Sequence, residues 1–201
     1  ALAARAPASL AYGRARAGFA MNRRLPKPDG GYANRSNPDG PVDHSVPVVR
    51  VADAAGKVTA LLFGYACHNT TVGDYRLSGD YAGHAQKFLE KDYPGAVAIF
   101  MQGTGGDQNP YPRHTMQPGY DAEDLAVLHG RSLATAVEAA LTTPLRELTG
   151  PLRAAYRLIE LKYSYLSSAD LAAGMKSGNP AVKTRAETLI EAARFVARRD
   201  R

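Results

Sequence analysis

The chain has 201 residues, of which 45% are apolar and 22% charged, a balance that belongs to a folded globular domain and excludes disordered or fibrous classes. No stretch approaches the ~18 consecutive apolar residues of a membrane-spanning helix. The single cysteine, Cys67, excludes an internal disulfide framework and a cysteine-based zinc cluster. The net charge of +6 sits entirely in the first 35 residues, where Arg5, Arg14, Arg16, Arg23, Arg24, Lys27 and Arg35 face only Asp29, and the remaining sequence is neutral with 18 basic and 18 acidic groups. A nucleic-acid binder would spread its charge, so nucleic acid is not an expected partner. A local basic patch able to attract anions or a membrane surface is compatible with this distribution, as is a set of solvated arginines.

The first ten residues carry no initiator Met, continuous apolar segment or cleavage site, so they do not read as a signal peptide. The chain is expected to begin inside a longer protein. Residues 9–17 alternate weakly and predict a strand, and residues 18–41, rich in Gly, Pro, Asn and Asp, predict a loop. Residues 46–51 and 58–67 are apolar and β-branched and are separated by a turn at 53–56, which predicts a hairpin with a largely buried second strand. Tyr81, Ala85, Phe88 and Leu89 lie on one face of a helix over 80–92. Residues 96–101 predict a short buried strand, and residues 102–120 a Gly/Pro/Asn-rich loop.

Asp121 reads as an N-cap, followed by a helical stripe of Leu125, Leu128, Leu133, Val137 and Leu141. Residues 152–165 alternate as a strand expected to return to the same sheet. Ser168 and Asn179 open two further helical segments, the last carrying Ala186, Leu189, Ile190, Ala193 and Val196. Strands and helices intermix, so the expected class is α/β, a mixed sheet flanked by helices in one domain over 1–201.

Three polar clusters fall at strand ends or in loops, where α/β proteins place their sites. They are Asn22-Arg23-Arg24, the stretch Cys67-His68-Asn69-Thr70-Thr71, and the loop Gly103-Thr104-Gly105-Gly106-Asp107-Gln108-Asn109-Pro110. His68 can ligate a metal, with Asn69 or Thr70 orienting it, or can cap a strand end through a backbone hydrogen bond. Cys67 should face the opposite way and read as a small buried residue. The glycine loop lacks the spacing of a P-loop or a dinucleotide fingerprint. Asp107, Gln108 and Asn109 can hydrogen-bond a polar substrate or a neighbouring loop; alternatively, Asn109-Pro110 starts a turn and Asp107 satisfies backbone amides. Arg23 and Arg24 can pair with carboxylates or stabilise an oxyanion, or lie on the surface. His129 reads as a packed helix residue, His84 as mid-helix, His44 as a turn residue and His114 as a loop residue. Tyr111-Pro112-Arg113 carries no chemical warrant of its own.

Five segments occur in the order found in the neutral/alkaline non-lysosomal ceramidase family: Phe19-Ala-Met-Asn-Arg-Arg24, Pro38-Asp-Gly-Pro-Val-Asp-His44, Gly64-Tyr-Ala-Cys-His-Asn-Thr-Thr71, Ser78-Gly-Asp-Tyr-Ala-Gly83 and Gly103-Thr-Gly-Gly-Asp-Gln-Asn-Pro110. The chain resembles that family, its shorter bacterial members most, over most of residues 8–145. The resemblance implies a zinc-dependent amidohydrolase with one zinc ion and a lipid amide such as ceramide as substrate, commonly exported. It implies that His68 is a zinc ligand and that Arg23 approaches the site and stabilises the oxyanion; from their position in the loop, Asp107 and Asn109 are expected to orient water or substrate. The family's other zinc ligands, a histidine upstream and a glutamate and a tyrosine downstream, have no counterpart in this chain, so the segment alone is expected to be inactive or to bind metal weakly. Asn109 stands where the family has its catalytic serine. That departure supports an alternative, a non-catalytic lipid- or glycan-binding protein on the same scaffold.

Overall fold

The computed structural model describes residues 5–113, 119–151, 153–161 and 166–199. They fall into two compact units, Ala1–Pro151 and Leu152–Arg201.

The first unit is built on β1 (Ser9–Arg16), β2 (Ala20–Asn22), β3 (Arg24–Pro26), β4 (Tyr32–Asn34), β5 (Ser45–Ala52), β6 (Val58–Tyr65), α1 (Asp80–Asp92), β7 (Val97–Gln102), β8 (Gln108–Pro110), α2 (Ala122–Leu141) and β9 (Arg146–Glu147). Five strands form one mixed sheet in the order β7-β6-β5-β1-β9. Only β6 and β7 are parallel, as expected when a helix, α1, carries the chain between them. The turn of the β5–β6 hairpin is closed by Asp53, whose Oδ1 accepts from the amides of Ala55 and Lys57. The α/β class, with a mixed sheet flanked by helices, is the observed one.

Alternation along the strands explains which face is covered. Val46 and Val48 of β5, Leu61, Phe63 and Tyr65 of β6 and Ala98 of β7 are buried in one core with Tyr81, Ala85 and Leu89 of α1 and Leu133, Ala134 and Val137 of α2. The two helices approach closely because Gly130 has no side chain: a Cβ there would stand 2.8 Å from the carbonyl oxygen of Tyr81. Asp121 does cap α2, in a reciprocal box with Asp124. Of the predicted stripe, Leu125, Leu133 and Val137 are buried, whereas Leu128 is exposed.

Two expectations change. The run at 96–101 reads as a strand buried on both faces, yet Val97, Ile99 and Met101 of β7 are exposed, because α1 and α2 cover only the face that carries Ala98. The predicted strand over 152–165 is not observed at residues 153–161, which are irregular, with Tyr156, Leu158, Ile159 and Leu161 exposed. Alternation marks the residues of a strand but supplies no partner, and none of the described residues pairs with this stretch. Leu152 and residues 162–165 lie outside the described residues.

The second unit contains α3 (Ser168–Met175), capped by Ser167 with Asp170, and α4 (Pro180–Arg199). The two helices pack on each other, and Ala186 is buried.

Candidate functional site

Beyond the ends of β6 and β7, two loops run backbone to backbone. The Gly103 amide donates to the Tyr65 carbonyl at 3.0 Å, and the His68 amide donates to the Gln108 carbonyl at 2.9 Å. Gly105 makes this approach possible: a Cβ there would lie 2.4 Å from the Cys67 backbone nitrogen, so no other residue fits without displacing main chain. The third polar cluster then continues into β8, which pairs antiparallel with β2 and sets Asn22 opposite Gln108 and Met21 opposite Asn109. Asn109-Pro110 is therefore strand, not turn. The predicted loops over 18–41 and 102–120 contain this ribbon and a second one, β3 with β4.

Two buried amide side chains tie the loops together. Asn22 donates from Nδ2 to the Pro41 carbonyl at 2.9 Å and to Asp107 Oδ2 at 3.2 Å, and its Oδ1 accepts from the Arg24 amide at 2.8 Å. Gln108 Oε1 accepts from the Asp43 amide at 2.8 Å. Both residues are almost fully buried, and these bonds satisfy polar atoms that burial would otherwise penalise. The sequence signal for them was weak, since each stands beside residues with more evident chemistry.

Around this frame the structure brings Arg23, His68, Asp107 and Asn109 close in space. The Arg23 amide donates to the Asp107 carbonyl at 2.7 Å, and its guanidinium Nε donates to the Gly106 carbonyl at 3.2 Å. His68 Nε2 contacts the same Gly106 carbonyl at 3.4 Å, a long hydrogen bond. A carbonyl only accepts, so in this contact Nε2 carries the proton and Nδ1 of the neutral ring keeps its lone pair. Neither expected helper orients the ring. Asn69 Nδ2 donates to Gln102 Oε1 at 3.4 Å, and Thr70 Oγ1 is buried with no partner among the described residues. The Asp107 carboxylate is held by the Asn22 side chain, a partner the sequence did not suggest.

A cavity of about 650 Å³ opens beside the ribbon, lined by Arg23 and Asn109 together with Arg35, Arg113 and their neighbours, but not by His68 or Asp107. Asn109 Oδ1 is buried with no hydrogen-bond partner among the described residues. Arg113, given no role from sequence, lines this cavity and donates from Nη2 to the Thr70 carbonyl at 2.9 Å.

The remaining groups are structural. Cys67 is fully buried, and burial pushes its thiol up to about 12, which leaves it protonated and unreactive. His129 is buried, stacked on Phe19 with ring centroids 4.8 Å apart, and its Nε2 donates to the Pro112 carbonyl at 3.1 Å; burial holds it below the usual histidine range. His84 meets Glu123 at 2.8 Å. His44 does more than turn the chain, since its Nε2 donates to the Ala20 carbonyl at 3.0 Å and braces the start of β2. His114 lies outside the described residues. Among the described residues no three His, Cys, Asp or Glu side chains come together as a metal site.

No protein-family model and no curated protein sequence matches the chain. Solved structures do. The neutral ceramidase from Pseudomonas aeruginosa superposes with a TM-score of 0.59 at 24% identity, over 73% of this chain and 24% of its own. A ceramidase complexed with C2 gives 0.61 at 23% identity, with the same coverage. The chain thus has the fold of a segment of neutral ceramidase and spans about a quarter of the length of those structures.

Proposed function

We propose that this chain forms part of a ceramidase-like hydrolase that cleaves an amide bond. The observation that supports this most is the convergence of Arg23 and His68 on the short stretch from Gly106 to Gln108, which carries Asp107, on a scaffold shared with neutral ceramidase. His68 offers one imidazole to a zinc ion whose other ligands lie beyond this chain. Such an ion, when bound, polarises a carbonyl and lowers the pKa of bound water to ~7.

The chain's own residues have separable tasks. Arg23 lines the cavity and is anchored through Nε, so its terminal nitrogens remain as donors for an oxygen that becomes negative as the carbonyl is attacked. Asn109 orients the substrate by hydrogen bonding; it has no hydroxyl to activate, so attack falls to water. Asp107, fixed by Asn22, shapes the loop and orients polar groups that approach it. The substrate is a small amide or lipid amide, handled outside the cytoplasm or at a membrane surface. The absent hydroxyl also favours a second reading, a protein that binds such a molecule without turning it over.

The test is metal content and amide hydrolysis in the intact protein that carries this sequence, wild type against His68→Ala. The expected result is one zinc per chain and measurable turnover, both lost in the variant. Retention of both by His68→Ala would overturn the role of His68. Metal without turnover across a broad panel of amides and esters would favour the binding protein.

A further inference from the structure

Of the positive charge concentrated at the start of the chain, the proposed reaction uses only Arg23. Part of that charge lies in the cavity. Arg23 and Arg35 line it together with Arg113, and among the described residues no aspartate or glutamate does. None of the three arginines forms an ion pair among the described residues. The other polar lining residues, Asn22, Asn34, Ser36 and Asn109, are neutral.

Three unpaired guanidinium groups around one hollow repel one another, and an anion placed between them relieves that repulsion. Two of the three are positioned in advance. Arg23 is held on the Gly106 carbonyl at 3.2 Å and Arg113 on the Thr70 carbonyl at 2.9 Å, each through a single nitrogen, so further N–H donors remain on both. The Arg35 amide donates to the Arg23 carbonyl at 3.1 Å, which keeps the third arginine next to the first along the backbone. A volume of about 650 Å³ suits a small molecule.

Resting on the hydrolase reading above, we propose that the substrate of this site is an acidic amide, with a carboxylate or phosphate near the amide bond held by Arg35 and Arg113, beside Arg23 at the amide carbonyl. It is not a neutral lipid amide.

The test is calorimetric titration of the intact protein with three probes of equal acyl length: N-octanoylglycine, N-octanoylethanolamine phosphate and the uncharged N-octanoylethanolamine. At least one acidic probe should bind roughly 10-fold tighter than the neutral one, and Arg35→Gln and Arg113→Gln should each remove most of that difference. The stronger of the two acids identifies carboxylate or phosphate as the group recognised. Arg35 is exposed, so Arg35→Gln decides the matter if Arg113→Gln melts early. Equal affinities, no binding of either acid at millimolar concentration, or an acid preference that survives Arg35→Gln would each overturn the proposal. Turnover, followed separately, distinguishes the two readings: neutral amides cleaved with no acid preference leaves the hydrolase standing without the anion site, and a tightly bound acid that is never cleaved leaves the anion site without the hydrolase.

Discussion

Two core tyrosines carry the geometry of the interior out to the loops. Tyr65, buried on β6, donates from its hydroxyl to the Ala17 carbonyl at 2.7 Å and accepts from the Ala20 amide at 3.0 Å, fixing the segment that leads to Asn22 and Arg23. Tyr81, buried on α1, donates to the Cys67 carbonyl at 2.6 Å, one residue before His68. Burial raises both phenols well above the usual tyrosine range, so they stay neutral donors at any physiological pH. Tyr65→Phe keeps the ring and its packing on Phe19 but leaves the Ala17 carbonyl and the Ala20 amide unpaired. The expected cost is about 1–3 kcal/mol in denaturant melts, the range for stranding buried polar groups. The loss of ligand binding should be larger than that of a surface substitution, because the start of β2 is freed. A variant as stable as wild type would mean that water replaces the hydroxyl and that β8 and His44 suffice to position β2.

At the scale of elements, what the sequence made legible was what periodicity encodes. The long strands β1, β5 and β6 and the helices α1 and α2 have apolar patterns of period two or near four, and local capping at Asp121 marks where α2 starts. The β2–β8 ribbon has no such pattern. Each strand has three residues, and their register depends on Asn22 and Gln108 bonding to loops 19 to 85 positions away. For the same reason the proximity of Arg23 to Asp107 came from resemblance, and the place of Arg113 from the structure alone. One residue governs this assembly. Gly105→Ala would press a methyl group onto the backbone of Cys67, with overpacking expected to cost about 1–3 kcal/mol. Because the strain falls between the two site loops, it should separate His68 from Gln108 while the sheet persists. Amide exchange should quicken at His68 and stay slow in β5 and β6. Unchanged protection at His68 would show that the loops can part by that distance at no cost.

Among the places where the described residues leave apolar surface, two follow from the strand pattern. On the first unit, Val97, Ile99 and Met101 line the face of β7 that no helix covers. In the second unit, residues 153–161 present Tyr156, Leu158, Ile159 and Leu161 to solvent in irregular backbone, which satisfies none of the strand's hydrogen bonds that the alternation anticipates. Irregular, exposed chain is where proteases cut first, since the enzyme must draw the substrate backbone into an extended form. Arg153 and Arg157 lie in that stretch. Brief trypsin treatment should therefore cleave at one of them before it cuts at Arg50 or Lys57 in the β5–β6 hairpin, and should release a fragment close to Ala1–Pro151. That fragment contains the whole sheet, both packed helices and every residue lining the cavity, so its circular dichroism should keep the α/β signature and its melt should remain cooperative. Protection of Arg153 and Arg157 would carry the opposite meaning: the alternating residues would then be paired with a strand, as their sequence anticipates, and the division at Pro151 would not be a boundary of stability.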